Sequence, residues 1–274
     1  MYKNDKKNIA LTALLFVCFI VFTALVSTVD VAAIGPQGSS VGFAKVNQAV
    51  SEVFPYSDPF YLISKYLGYL ALLICAAFGV LGLAQLISRK SLRKVDPELV
   101  LLGAFYVAVI IFYVMFMVVV VNYRPVLEDG ALESSYPSSH TMLAVCAFVS
   151  ASMYIARTGL SDGIKKAIKI VMIVLTIAMV YTRMASGVHW FTDIVGGVLL
   201  SAALLMMYKA AISHVTQARL AAAEAPAEPD VPAADPVDEA LAEEDAAKEE
   251  APAADDAQED KPAADGAEGS DEAV

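Results

Sequence analysis

Two stretches of the chain bring together residue types that can bind and attack a phosphate group. One runs from Tyr123-Arg124-Pro125 to Pro137-Ser138-Ser139-His140, and the other is Thr182-Arg183-x5-His189-x3-Asp193. Arg124 and Arg183 carry planar forks of donors that fit phosphate oxygens bidentately and stay charged at any relevant pH. Ser138 and Ser139 stand at an expected helix start, where unpaired N–H groups and the helix dipole favour an anion. His189 and Asp193 are four residues apart, neighbours on one helical face, so the carboxylate can accept from one imidazole nitrogen and leave the other as a nucleophile toward phosphorus. His140 then remains to protonate the departing oxygen, and later to activate the water that breaks a phosphohistidine intermediate. Taken singly, an interfacial Arg or His can be explained by snorkelling to headgroups, and Trp190 by an aromatic belt. Together they point to function. His214, alone beyond the last apolar run, is read as structural.

These residues need elements to bring them together, and the hydropathy pattern supplies six. Apolar runs near 9–29, 66–87, 99–121, 140–156, 167–182 and 190–208 are each long enough to cross, or nearly cross, about 30 Å of hydrocarbon. Lys169 and Asp193 interrupt two of them and are expected at a bundle interior or an interface. Basic residues cluster before the first run (Lys3, Lys6, Lys7), between the second and third (Arg89, Lys90, Arg93, Lys94), between the fourth and fifth (Arg157, Lys165, Lys166), and after the sixth (Lys209, Arg219). By the positive-inside rule both termini are cytoplasmic. Both phosphate-binding stretches then fall on the outer face, at adjoining helix ends. Between the first two runs, Val46, Ala49, Val50, Val53 and Phe54 give a short helix with one apolar face, either packed on the bundle or lying along the outer interface. The first apolar run is too long for a secretory signal and reads as an uncleaved anchor.

A mean hydropathy of +0.60 and 58% hydrophobic residues exclude an ordinary soluble globule. The overall charge of −11 is divided unevenly. Residues 221–274 hold 19 acidic residues against Lys248 and Lys261, a net of −17; the preceding residues carry the other 17 basic and 11 acidic residues, a net of +6. That Ala/Glu/Asp/Pro-rich tail has no aromatic residue and a single Leu, too little apolar area to offset the entropy of ordering, and is expected to be disordered. Cys18, Cys75 and Cys146 fall inside apolar runs at no metal-binding spacing.

The two stretches resemble the signature of the type 2 phosphatidic acid phosphatase family, whose three blocks read K-x6-R-P, P-S-G-H and S-R-x5-H-x3-D. The third block matches at Arg183, His189 and Asp193, with Thr182 in place of Ser. Two positions depart: the family's Lys falls at Met117 and its Gly at Ser139. The resemblance implies an all-helical bundle shared with vanadium haloperoxidases. It also implies His189 as nucleophile, Asp193 as its partner, His140 as acid, Arg124 and Arg183 as phosphate ligands, and no metal or organic cofactor. The membrane branch of the family acts on phosphatidic acid, phosphatidylglycerol phosphate and polyprenyl diphosphates.

The expectation is an all-α protein: a six-helix transmembrane lipid phosphatase domain over 1–220, followed by the acidic tail over 221–274. It would be a multi-pass cell-membrane protein hydrolysing a lipid phosphomonoester or diphosphate, of the phosphatidic acid or undecaprenyl diphosphate type, at the outer face. The expected partners are that lipid phosphate and the bilayer, with no nucleic acid. The rival is a non-catalytic membrane protein of the same fold that binds a lipid phosphate; a soluble haloperoxidase fits poorly with six apolar spans.

Overall fold

The computed structural model describes residues 3–224 other than Asp129, and these form one compact unit. It is all-helical, with seven α-helices: α1 (Lys3–Thr28), α2 (Ala44–Val53), α3 (Asp58–Arg89), α4 (Pro97–Val118), α5 (Ser139–Ile155), α6 (Asp162–Ala185) and α7 (Phe191–Glu224). Six are long and correspond to the six apolar runs; α2 is the short helix expected between the first two. Four of them, α1, α3, α4 and α7, are long and apolar enough to cross a membrane by themselves. The fourth run becomes α5, only 17 residues long but buried along most of its length.

Boundaries shift where polar residues blur the pattern. Helix α3 begins at Asp58, with Pro59 in its first turn, eight residues ahead of the apolar run. Tyr61, Ser64 and Lys65 lie in this more polar first stretch of the helix. Helix α7 continues past 208 through Leu220 to Glu224, so the first residues assigned to the tail are helical. The remainder of the tail, on which the expectation of disorder falls, lies outside the described residues.

The helices form a bundle in which α1 packs along α7 and α5 sits among α3, α4, α6 and α7. Its core contains Phe19, Leu102, Phe105, Phe116, Tyr136, Met142, Leu200, Leu204 and Tyr208. Large apolar side chains on the outer faces of α1, α3, α4 and α6, such as Val17, Leu73, Ile110 and Val174, stay exposed, as lipid-facing surface requires. Helix α2 does not bury its apolar stripe: Val46 and Val53 are exposed, while Ala44 and Asn47 face inward. Val50 and Phe54 are half-buried, so the bundle covers only part of that stripe.

Two glycines let the loop before α5 lie against the start of α7. A Cβ on Gly196 would come within 2.4 Å of the Tyr136 ring, and one on Gly197 within 3.0 Å of the Ser138 carbonyl. Tyr136 is further held by its hydroxyl, 2.7 Å from Thr23 Oγ1 on α1.

Candidate active site

The turn that joins α6 to α7 carries His189. Gly187, at φ 66°, permits this turn, and a Cβ there would strike the backbone of Pro55 and Tyr56. Trp190 precedes the first residue of α7, and Asp193 stands three residues after it, so the Asp193 carboxylate reaches back to the Trp190 N–H at 2.9 Å. This is the reciprocal half of a capping box, and it places the carboxylate at the mouth of the helix. Trp190 is no belt residue: it is buried, and its indole N–H donates to the Tyr123 carbonyl at 2.7 Å.

His189 and Asp193 do not share a helical face, because His189 lies in the turn ahead of α7, and they do not bond directly. Nδ1 and Oδ2 are 3.7 Å apart. Ser135 closes the gap, with its hydroxyl 2.9 Å from His189 Nδ1 and 2.5 Å from Asp193 Oδ2. The Ser135 hydroxyl donates to the carboxylate, so its oxygen accepts from Nδ1–H, and the lone pair of His189 is left on Nε2. The Asn122 side-chain amide donates to Asp193 Oδ1 at 3.3 Å. Three donors thus converge on one buried carboxylate.

Arg183, at the end of α6, is wholly buried. Its Nη2 lies 3.0 Å from His189 Nε2 and 3.3 Å from His140 Nδ1, and its Nη1 donates to Ser64 Oγ at 3.2 Å. A guanidinium can only donate, so both ring nitrogens facing it are acceptors. That agrees with the tautomer imposed on His189 by Ser135. Arg183 Nε has no hydrogen-bond partner, and no carboxylate pairs with this cation among the described residues. The guanidinium also stacks over Tyr61, its carbon 5.8 Å from the ring centroid.

His189 lies in the turn outside the spans. Burial, followed by the charges of Arg183 and Arg124, holds its pKa well below the ordinary histidine value, so the ring is neutral.

Arg124 is placed differently from its expected role as an open clamp. It forms an ion pair with Glu128 and a second one, at 3.2 Å, with Glu133. Glu128 in turn accepts from the Tyr61 hydroxyl at 2.7 Å. Burial raises the Glu128 pKa, but the Tyr61 hydrogen bond and the nearby arginines outweigh it, and the carboxyl stays ionised. The loop carrying Glu128 and Glu133 is thus engaged with an arginine.

Ser138 and Ser139 stand at the start of α5, but Ser138 points inward. Its N–H donates to the Asp193 carbonyl at 2.9 Å and its hydroxyl accepts from Thr141, so it offers an anion little. Ser139 lines a cavity together with Arg124, Ser135 and Met117. Met117, which stands where the phosphatase signature has Lys, is 57% exposed on α4.

Four residues of the cluster were missed: Ser135, Asn122, Ser64 and Tyr61. The last two share a face of α3 with Gly68, where a Cβ would come within 3.0 Å of the His140 ring. Polar and small residues inside an otherwise apolar helix were the available signal. Among the described residues, no group of three His, Cys, Asp or Glu side chains is placed to hold a metal ion.

Residues 104–216 match the model of the PAP2 superfamily. The matched stretch contains Arg124, Ser135, His140, Arg183, His189 and Asp193, whereas Tyr61, Ser64 and Gly68 on α3 precede it. Among solved structures, the chain is similar to the one described as the first transmembrane PAP2 type phosphatidylglycerolphosphate phosphatase from Bacillus subtilis. The identity is 19% and the TM-score 0.49, over 74% of this chain and 96% of that one. No curated protein matches.

Proposed function

We propose that the protein is an integral membrane phosphatase that hydrolyses a lipid-linked phosphomonoester or diphosphate through a phosphohistidine intermediate. The observation that carries this reading is Arg183: a guanidinium buried among neutral partners, with one N–H unsatisfied and two imidazole nitrogens turned toward it. An uncompensated buried cation is costly by several kcal/mol, roughly, and an anion entering between it and the histidines removes that cost.

In this reading the phosphate oxygens take the Arg183 donors, and His189 Nε2 attacks phosphorus in line with the leaving oxygen. The P–N bond forms as the P–O bond breaks, and the electron pair departs on that oxygen. His140 accepts from Arg183 through Nδ1 and so carries its proton on Nε2; as the phosphate takes over the Arg183 donors, Nδ1 is freed to bind a second proton, and the imidazolium gives its Nε2 proton to the leaving oxygen, which leaves Nε2 as the base for the next step. Water then attacks the phosphohistidine, passing a proton to His140, and releases inorganic phosphate. Ser135 and Asp193 hold the imidazole in one tautomer and stabilise the charge that builds on it. An apolar groove between α3 and α4, lined by Leu72, Val109, Ile110 and Val114, ends on His140 and suits a lipid chain. No step requires a metal ion. The positive-inside distribution puts this end of the bundle at the outer face, with both termini cytoplasmic.

The test is phosphate release from a long-chain polyprenyl diphosphate and from phosphatidic acid by the purified protein in chelator, with His189→Ala in parallel. Release by wild type alone supports the reading. No release from either lipid by correctly folded protein overturns hydrolysis in favour of a lipid phosphate-binding protein.

A further inference from the structure

Lys65 sits on the same face of α3 as Tyr61, Ser64 and Gly68. The spacing i, i+3, i+4 and i+7 stacks the four along one side of the helix. Two of the other three touch the site directly, Ser64 by accepting from Arg183 and Gly68 by lying against the His140 ring. Tyr61 bonds Glu128 and carries both cations near its ring, Arg183 at 5.8 Å and the Lys65 ammonium at 5.9 Å from the centroid.

Lys65 is half-buried within a membrane-spanning helix, and no carboxylate pairs with it among the described residues. With Tyr56, Tyr61, Glu128 and Val188 it lines a cavity beside the His189 turn. A cation inside a span is costly unless it meets a counter-charge, which makes it a functional residue by default. It also stands on the leaving-group side. His140 lays the Cδ2–Nε2 edge of its ring against Gly68, less than one full turn along the helix from Lys65.

Resting on the phosphatase reading above, we propose that Lys65 is a second anion-binding residue of the site. It holds the phosphate that stays on the lipid, so the preferred substrate class is a lipid diphosphate rather than a monoester. When His189 Nε2 bonds to the terminal phosphorus, the bond to the bridging oxygen breaks and its electron pair stays on that oxygen. That oxygen, which gains negative charge as the bond breaks and before His140 protonates it, belongs to a lipid monophosphate held next to Lys65. A monoester has no group there to use this charge.

The experiment compares the full-length wild type with Lys65→Met and Lys65→Arg in detergent micelles, using farnesyl diphosphate and farnesyl monophosphate as probes. Turnover and equilibrium binding are both measured, and binding is repeated on His189→Ala. The expected result is that Lys65→Met lowers kcat/KM and affinity for the diphosphate by about 10-fold or more, moves the monophosphate by less than about 3-fold, and is rescued by Lys65→Arg. Equal losses on both probes, or no loss on either, overturn the proposal. If wild type binds both probes without turnover, the phosphatase reading fails, and binding alone decides the Lys65 subsite by the same criterion. Melting temperatures of the variants separate a folding defect from a binding one.

Discussion

The Ser135 hydroxyl stands between His189 Nδ1 and Asp193 Oδ2, bonding both, while the imidazole and the carboxylate come no closer than 3.7 Å. Orientation of the nucleophile therefore depends on a loop residue, itself held where Tyr136 rides over Gly196.

Ser135→Ala leaves Nδ1–H and a buried carboxylate without their shared partner. It is expected to lower kcat by roughly 10- to 100-fold with KM little changed, since the bond acts on the histidine and not on the lipid. Steady-state phosphate release checks this; a fall confined to KM would mean that Ser135 touches substrate instead.

Arg183→Lys keeps the charge but loses the fork that reaches Ser64, His140 and His189 together. Turnover is expected to fall by about 100-fold or more, as for loss of a donor aimed at transition-state charge. Retention of wild-type kcat in this variant would show that a point charge is enough.

Glu128→Gln removes a carboxylate that competes with phosphate for Arg124, and a side-chain oxygen remains to accept from Tyr61. A partly exposed ion pair contributes about 1 kcal/mol or less, so KM is expected to drop by up to about 5-fold. A rise in KM would assign Glu128 to positioning Arg124.

The neutral, buried His189 links stability to pH. Its folded-state pKa is depressed, so below the unfolded value of about 6.5 the unfolded chain binds the extra proton. Stability is expected to decline as pH falls from 6.5, by up to about 1.4 kcal/mol per pH unit from this group. Thermal unfolding of wild type against His189→Asn between pH 7.5 and 5 checks it. The difference between the two should shrink or reverse on acidification if the histidine contributes as described.

The helices were legible because each apolar run is long enough to read as a span, and Arg183, His189 and Asp193 could be grouped because the end of α6, the turn after it and the first turn of α7 hold all three. What lies across the bundle was not. Ser64 and Gly68 contact Arg183 and His140 only because α3 packs on α5 and α6, and no local spacing encodes that. Ser135 was hidden in an irregular loop whose path depends on Gly196. The pairing of Arg124 with Glu128 and Glu133 needs that same loop to fold back on itself, with Arg124 N–H donating to the Glu133 carbonyl at 3.0 Å. Trp190 looked interfacial by residue type alone, but its neighbour Phe191 opens α7 and turns the indole inward.

Helix α2 exposes Val46 and Val53 while its buried Asn47 bonds both the hydroxyl and the N–H of Thr192, at 3.0 and 3.1 Å, one residue before Asp193. On the phosphatase reading, exposed valines of this kind suit the boundary between headgroups and chains. Because Asn47 ties α2 to the first turn of α7, the same short helix would then set both the waterline of the protein and the depth of His189. A lipid phosphate resting at the membrane surface would meet Nε2 at its own level.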